Sequence, residues 1–186
     1  MLAGCTGESY DSLHGESYSF VDQHGEEITF PDDYEGEILV VGYVYTKCPD
    51  ICSIITANMR NIYDAMEDRE QPVRFVSVTF DPKRDTPEQL QSYARTFGLD
   101  ERNWTLLTGD VAEVDRFMER MGVRRALAGE EQDTFDLAAA GEDYIIDHSD
   151  RMTLLDGQAN VREIYMGSRM PADMVIEDIE RLLEER

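Results

Sequence analysis

The chain has 186 residues, long enough for one domain with a substantial core, and its apolar and aromatic content is that of a globular protein. Acidic residues outnumber basic ones 40 to 17, for a net charge of −23, and a surface of that sign repels nucleic acid and anionic lipid head groups, so neither is expected as a direct partner. No run approaches the ~20 apolar residues of a membrane span, and three cysteines are too few for a disulfide scaffold.

The acidity reads as a solvated shell or as adaptation to high salt, where self-repulsion is screened. Lys47 and Lys83 are the only lysines. At the start, Leu2-Ala3-Gly4-Cys5 resembles the lipobox of bacterial lipoproteins, in which the cysteine becomes the lipidated first residue. The basic and apolar regions of an export signal do not precede it, so either Met1 is a late start or the match is chance. The polar "TGESYDSLHGES" that follows favours the lipobox, because it reads as a tether. The division expected is therefore 1–16 as lipobox-like start and tether, and 17–186 as the folded domain.

Tyr18 to Val21 and Glu27 to Phe30 flank a turn at His24-Gly25 and read as a hairpin. Glu37 to Thr46 is a continuous apolar, β-branched run, expected as a strand covered on both faces. A helix follows from about Ile51 to Arg69, with Ile51, Ile54, Ile55, Met59, Ile62 and Met66 at helical spacing. Val73 to Phe80 is a second buried strand. "DPKRDTPEQL" turns the chain into a helix capped by Asp85 or Thr86, with Pro87 at its first position and Gly98 ending it after Phe97. Trp104 to Gly109 reads as a third strand, and Asp110 caps a helix to about Met121.

Residues 122–142 show no periodicity and carry the acidic "GEEQD". Tyr144 to Ile146, Met152 to Leu155 and, after a turn at Asp156-Gly157, Val161 to Tyr165 read as strands. Pro171 opens a final helix with Met174, Val175, Ile179, Leu182 and Leu183 facing inward. Alternating strands and helices followed by an antiparallel pair require a mixed α/β sheet with helices on both faces. A thioredoxin-like fold with an added N-terminal hairpin fits that order.

Cys48 and Cys52 straddle the start of the second element's helix, in "YTKCPDICS". Residues four apart on a helix have Cβ atoms about 5–6 Å apart, close enough for both sulfurs to reach one metal ion or, after a small adjustment, to form a disulfide. The helix N-terminus favours thiolate over thiol. Asp50 works weakly against this. Of three histidines, His14 and His24 fall in the tether and the hairpin turn and read as solvated side chains. His148, in "YIIDHSDRMTLL", lies between two strands, where thioredoxin-like proteins place the loop that faces the cysteine pair. Two thiolates and an imidazole form a soft, three-coordinate set, one short of structural zinc and suited to Cu(I). Asp147 or Asp150 could orient the imidazole or bind Cu(II) weakly; both also suit a turn.

"YTKCPDIC", "VSVTFDPKRDTPEQL", "WTLLTG" and "DHSDRMTLLD" resemble, in family order, the Sco/SenC family of copper-handling, thioredoxin-like proteins. The resemblance implies a membrane-tethered, extracytoplasmic protein that binds copper through Cys48, Cys52 and His148. It also implies a partner, the CuA-bearing subunit of cytochrome c oxidase, served either by copper delivery or by reduction of its cysteines. Cys5 would supply the lipid anchor at the periplasmic face of the inner membrane, the chain's one link to a membrane. Asp81 matches a family position near the site and equally suits a turn-forming Asp-Pro. One departure is Ser53, where the family usually has proline after the second cysteine. Besides a metallochaperone, the residues allow a thiol–disulfide reductase using Cys48 and Cys52. They also allow a thiol peroxidase assisted by Thr46 and Arg84, which leaves the thiol spacing and His148 unexplained.

Overall fold

The structure is a computed structural model that describes residues 12–49, 51–66, 71–129, 135–137 and 139–186. The strands are β1 (Tyr18–Asp22), β2 (Glu27–Phe30), β3 (Ile38–Val44), β4 (Val73–Thr79), β5 (Trp104–Thr108), β6 (Arg125–Leu127), β7 (Ile146–His148), β8 (Met152–Leu155) and β9 (Val161–Tyr165). The helices are α1 (Ile51–Ala65), α2 (Pro87–Phe97), α3 (Val111–Arg120) and α4 (Ala172–Glu184).

Seven strands form one mixed sheet in the order β2-β1-β5-β4-β3-β8-β9. The central β3 pairs in parallel with β4 and antiparallel with β8, and β4 pairs in parallel with β5. All seven residues of β3 are buried, as a strand covered on both faces requires. Its alternate side chains feed two cores. Leu39, Val41 and Tyr43 belong to the core shared with α3 and the N-terminal hairpin, while Ile38 and Val40 belong to the core shared with α1, α2 and α4. Gly42 lets α1 lie close on β3, because a Cβ there would run into the Met59 side chain. At the end of α2, Gly98 takes the left-handed conformation at φ 61° as the helix stop requires.

Several expectations are corrected. The cap of α2 is Thr86, which accepts from Gln89 N; Asp85 is buried instead. Ile54 and Met174 point to solvent, at 45% and 44% exposed, because the helices bury a narrower stripe than the apolar spacing allows. The strand expected at Tyr144 to Ile146 lies at Ile146–His148 and pairs in a separate two-stranded sheet with β6, inside the stretch that showed no periodicity. Three residues are too short to display a period of two, so only the partner strand reveals them. The tether reading fails over its last residues: Ser12 bridges to Asn160, Leu13 is fully buried, and Arg120 binds Ser12 O and Glu16. Cys5, with the rest of 1–11, lies outside the described residues, as do Asp50, the 67–70 end expected of the first helix, and 130–134.

Phe117 of α3 fastens the hairpin to the sheet. Its ring meets Tyr18, Phe20 and Phe30 edge-on at centroid distances of 5.0, 5.4 and 5.2 Å, and it is fully buried. Phe117→Ala is expected to cost about 3–5 kcal/mol, read as a lowered urea midpoint at unchanged m-value.

Candidate metal centre

The cysteine loop leaves the C-terminal end of β3, and α1 begins at Ile51, so Cys48 precedes the helix and Cys52 lies in its first turn. The backbone N–H of Cys52 donates to Cys48 Sγ at 3.4 Å. One of the helix's otherwise unpaired N–H groups is thus spent on a sulfur, which favours negative charge there. Cys48 is half-buried and Cys52 is 1% exposed. Burial, reinforced by the hydrogen bond to Cys48, pushes the Cys52 thiol far above its ordinary range. The two thiols are therefore unequal, one held at a helix terminus within reach of solvent and the other kept protonated until something replaces its proton.

His148 ends β7 and faces both sulfurs. Its Nε2 lies 3.4 Å from Cys52 Sγ and 3.9 Å from Cys48 Sγ, and the three donor atoms all fall within 4.8 Å of one another. Its Nδ1 lies 3.0 Å from the carbonyl of Ser149. A carbonyl only accepts, so Nδ1 is the donor there and Nε2 is the nitrogen turned to the sulfurs. The ring stands against Phe80 at 4.6 Å and edge-on to Tyr45 at 6.0 Å, both of them core residues. Pairing with β6 holds the strand: Arg125 is the register partner of His148, and Ser149 N donates to Arg124 O. The Tyr45 hydroxyl accepts from Ile146 N and donates to Ile146 O, tying β7 to the end of β3.

Ions of this class form bonds of about 2.0–2.3 Å to nitrogen and sulfur, which puts the donors of a three-coordinate site about 3.5–4 Å apart. The two nitrogen-to-sulfur separations fall close to that and no pair exceeds 4.8 Å, so the residues fit a soft ion with modest movement. They form the one group of three potential ligands among the described residues. Neither nearby aspartate joins them. Asp147 is exposed, and Asp150 accepts from Ser168 N and Oγ. His14 is exposed, and His24 pairs with Glu101 at 2.9 Å. Beside the sulfurs, between α1 and α2, opens a cleft of about 300 Å³ whose lining among the described residues includes Lys47, Ser53, Gln89, Ser92 and Thr96.

Asp85, read from the sequence as a possible helix cap, and Asp81, read as near the site or as a turn former, both prove to organise it. Asp85 is fully buried and accepts from Thr46 N, Thr46 Oγ1 and Thr79 Oγ1, so it holds the backbone two residues before Cys48. Asp81, also fully buried, accepts from Arg84 Nε and the Tyr144 hydroxyl. Thr46 and Arg84, the peroxidase candidates, are thereby engaged in fixing the scaffold. A pair of aspartates inside one "DPKRD" loop of an otherwise apolar strand end was the available signal.

A family model described as SCO1/SenC matches residues 6–184. The SCO1 protein homolog of Bacillus subtilis (strain 168) is 27% identical over 182 residues, covering 96% of this chain and 89% of its own. Among solved structures, a SCO1/SenC family lipoprotein from Bacillus anthracis str. Ames superposes with a TM-score of 0.77 at 26% identity, covering 97% and 99% of the two chains. Bradyrhizobium japonicum ScoI with copper bound gives 0.74 at 22%, over 91% and 99%. BsSco, described as having a disulfide switch and as a member of the Sco family of cytochrome c oxidase assembly proteins, gives 0.74 at 24%, over 96% and 98%. Fold and site together define a thioredoxin-like protein with two cysteines and a histidine brought to one point. The chain belongs to the SCO1/SenC family.

Two predictions follow from the burial of these groups. With iodoacetamide limiting, Cys48 is expected to alkylate at least about tenfold faster than Cys52, read by peptide mass spectrometry; equal rates would contradict the asymmetry. Burial raises the Asp85 carboxyl to about 6, against the bonds from Thr46 and Thr79 that lower it. A folded-state value above that of the unfolded chain means that no penalty exists below pH ~4 and that it grows to about 3 kcal/mol as pH rises through 6. The stability of the metal-free protein relative to Asp85→Asn should therefore fall between pH 4 and 7 in urea titrations.

Proposed function

We propose that this protein is a copper metallochaperone that carries one Cu(I) on Cys48, Cys52 and His148 and serves assembly of the CuA centre of cytochrome c oxidase. The observation that carries this reading is the convergence of two sulfurs and the His148 Nε2 within 4.8 Å. Thiolates with low coordination number select Cu(I) over harder ions. A relative of this fold is described with copper bound, and another as a member of a family of oxidase assembly proteins.

Loading requires the Cys52 proton to leave, so uptake releases protons and weakens as pH falls. Three donors leave one side open to an incoming ligand, which suits cargo that must leave again. The partner is the CuA-bearing subunit, met at the periplasmic face of the inner membrane, with Cys5 as the lipidated anchor of an extracytoplasmic protein. Cu(II) is a second form that the same donors would hold.

A reductase role is favoured by the unequal thiols. Cys48, at the helix terminus and within reach of solvent, would attack a partner disulfide as thiolate, and Cys52 would resolve the mixed disulfide and pass its proton to the departing thiolate. The two roles are compatible, since Cu(I) binding needs the reduced pair.

Anaerobic titration of the reduced protein against a chromogenic Cu(I) chelator is expected to give one tight Cu(I) per chain. Binding should be lost in Cys48→Ala and Cys52→Ala and weakened at least about tenfold in His148→Ala, one ligand bond being worth 1.4 kcal/mol or more. Unchanged affinity in all three variants would exclude the metallochaperone, and a pair that does not cycle reversibly through a disulfide would exclude the reductase.

A further inference from the structure

The loop 81–85, directly after β4, touches both halves of the donor set. On one side Asp85 holds Thr46, two residues before Cys48. On the other, Asp81 and Arg84 hold Tyr144, four residues before His148, by three separate contacts. The Tyr144 hydroxyl donates to Asp81 Oδ1 at 2.5 Å. Arg84 Nη1 donates to the Tyr144 carbonyl at 2.9 Å. The Arg84 guanidinium lies over the Tyr144 ring at 3.5 Å from its centroid. The Arg84 Nε bond to Asp81 closes the triangle. Lys83 adds a grip on the same segment by donating to the carbonyls of Leu137 and Ala140.

We infer that Tyr144 is a positioning residue for His148, clasped by Asp81 and Arg84 so that the imidazole stays within reach of the two sulfurs before any metal arrives. The inference rests on the ligand set proposed above. The physical case is that β7 is only three residues long and belongs to a two-stranded sheet outside the main one, and an isolated pair of strands is marginal alone. The hold on the body of the protein must come from side chains. Tyr45 at Ile146 and the Asp81–Arg84 clasp at Tyr144 tie the segment that leads into His148, while Arg125 ties the partner strand to Asp115 of α3. The clasp is the stronger, because its hydrogen bonds involve ionised partners and Asp81 is fully buried. It also makes the "DPKRD" loop a single ruler for the sulfur-to-nitrogen distance, since the same five residues hold the cysteine side.

The test is a double-mutant cycle on the full chain, with Tyr144→Phe, which keeps the ring over Arg84 and deletes the hydroxyl, made alone and with His148→Ala. Cu(I) affinity is measured by chelator competition. Tyr144→Phe is expected to weaken Cu(I) binding on the order of tenfold in the native background, the loss expected for one bond to a buried charge, and by less than about twofold when His148 is already alanine. Equal losses in both backgrounds, or none in the native one, would overturn the positioning role. A metal-free readout separates this inference from the ligand assignment: in the reduced apo protein, nuclear Overhauser contacts between the His148 ring and Cys52 Hβ should weaken in Tyr144→Phe. If His148→Ala leaves Cu(I) affinity unchanged, the ligand assignment fails, and the apo contacts alone decide the clasp, with unchanged contacts refuting it.

Discussion

Three donor atoms from positions 48, 52 and 148 lie within 4.8 Å of one another, and buried polar groups on the elements around them are arranged to that end. Two of the donors are sulfur atoms separated by one helical turn, so their spacing is local. The third arrives from 96 to 100 positions further along the chain. Buried polar groups that would otherwise be costly in a core of this kind are placed where they bridge that gap: Asp85 to the cysteine loop, Asp81 to the histidine strand, and the Tyr45 hydroxyl between the two. Each has its partners, and in each case at least one partner lies on a segment that leads into a donor.

The same arrangement sets the chemistry of the donors. The helix N-terminus supplies Cys48 with a backbone N–H, while burial withholds charge from Cys52. The Ser149 carbonyl accepts from His148 Nδ1, which orients the ring with Nε2 toward the sulfurs. One donor is thus already suited to bind and another must exchange its proton for whatever binds, which couples occupancy to pH through geometry alone. Among the described residues, the cleft adjoining the sulfurs carries a lysine and polar neutral side chains, on a chain whose net charge is −23.

Much of this was legible in the linear chain, and the reason is local. The apolar runs at β3 and β4, the Thr86-Pro87 start and Gly98 stop of α2, and the Cys48–Cys52 pair each carry their structural meaning within a few residues. The illegible parts share the opposite property. β6 is three residues in an aperiodic stretch and exists only because β7 pairs with it. Leu13 reads as tether until the groove that receives it is present. Ile54 and Met174 match the helical period yet face water, since a period locates a stripe without stating how wide a neighbour will cover it.

From the sequence alone came the mixed α/β order, the strand-to-helix junction that holds two thiols one turn apart, and the soft character of the donor set. These follow from side-chain chemistry and from periodicities spanning fewer than about twenty residues. The tertiary structure decided which nitrogen of His148 faces the sulfurs, which thiol is exposed, and that the aspartates of "DPKRD" hold the two halves together rather than merely turning the chain. Those outcomes depend on contacts between residues tens of positions apart, and no local pattern encodes the distance across a folded core.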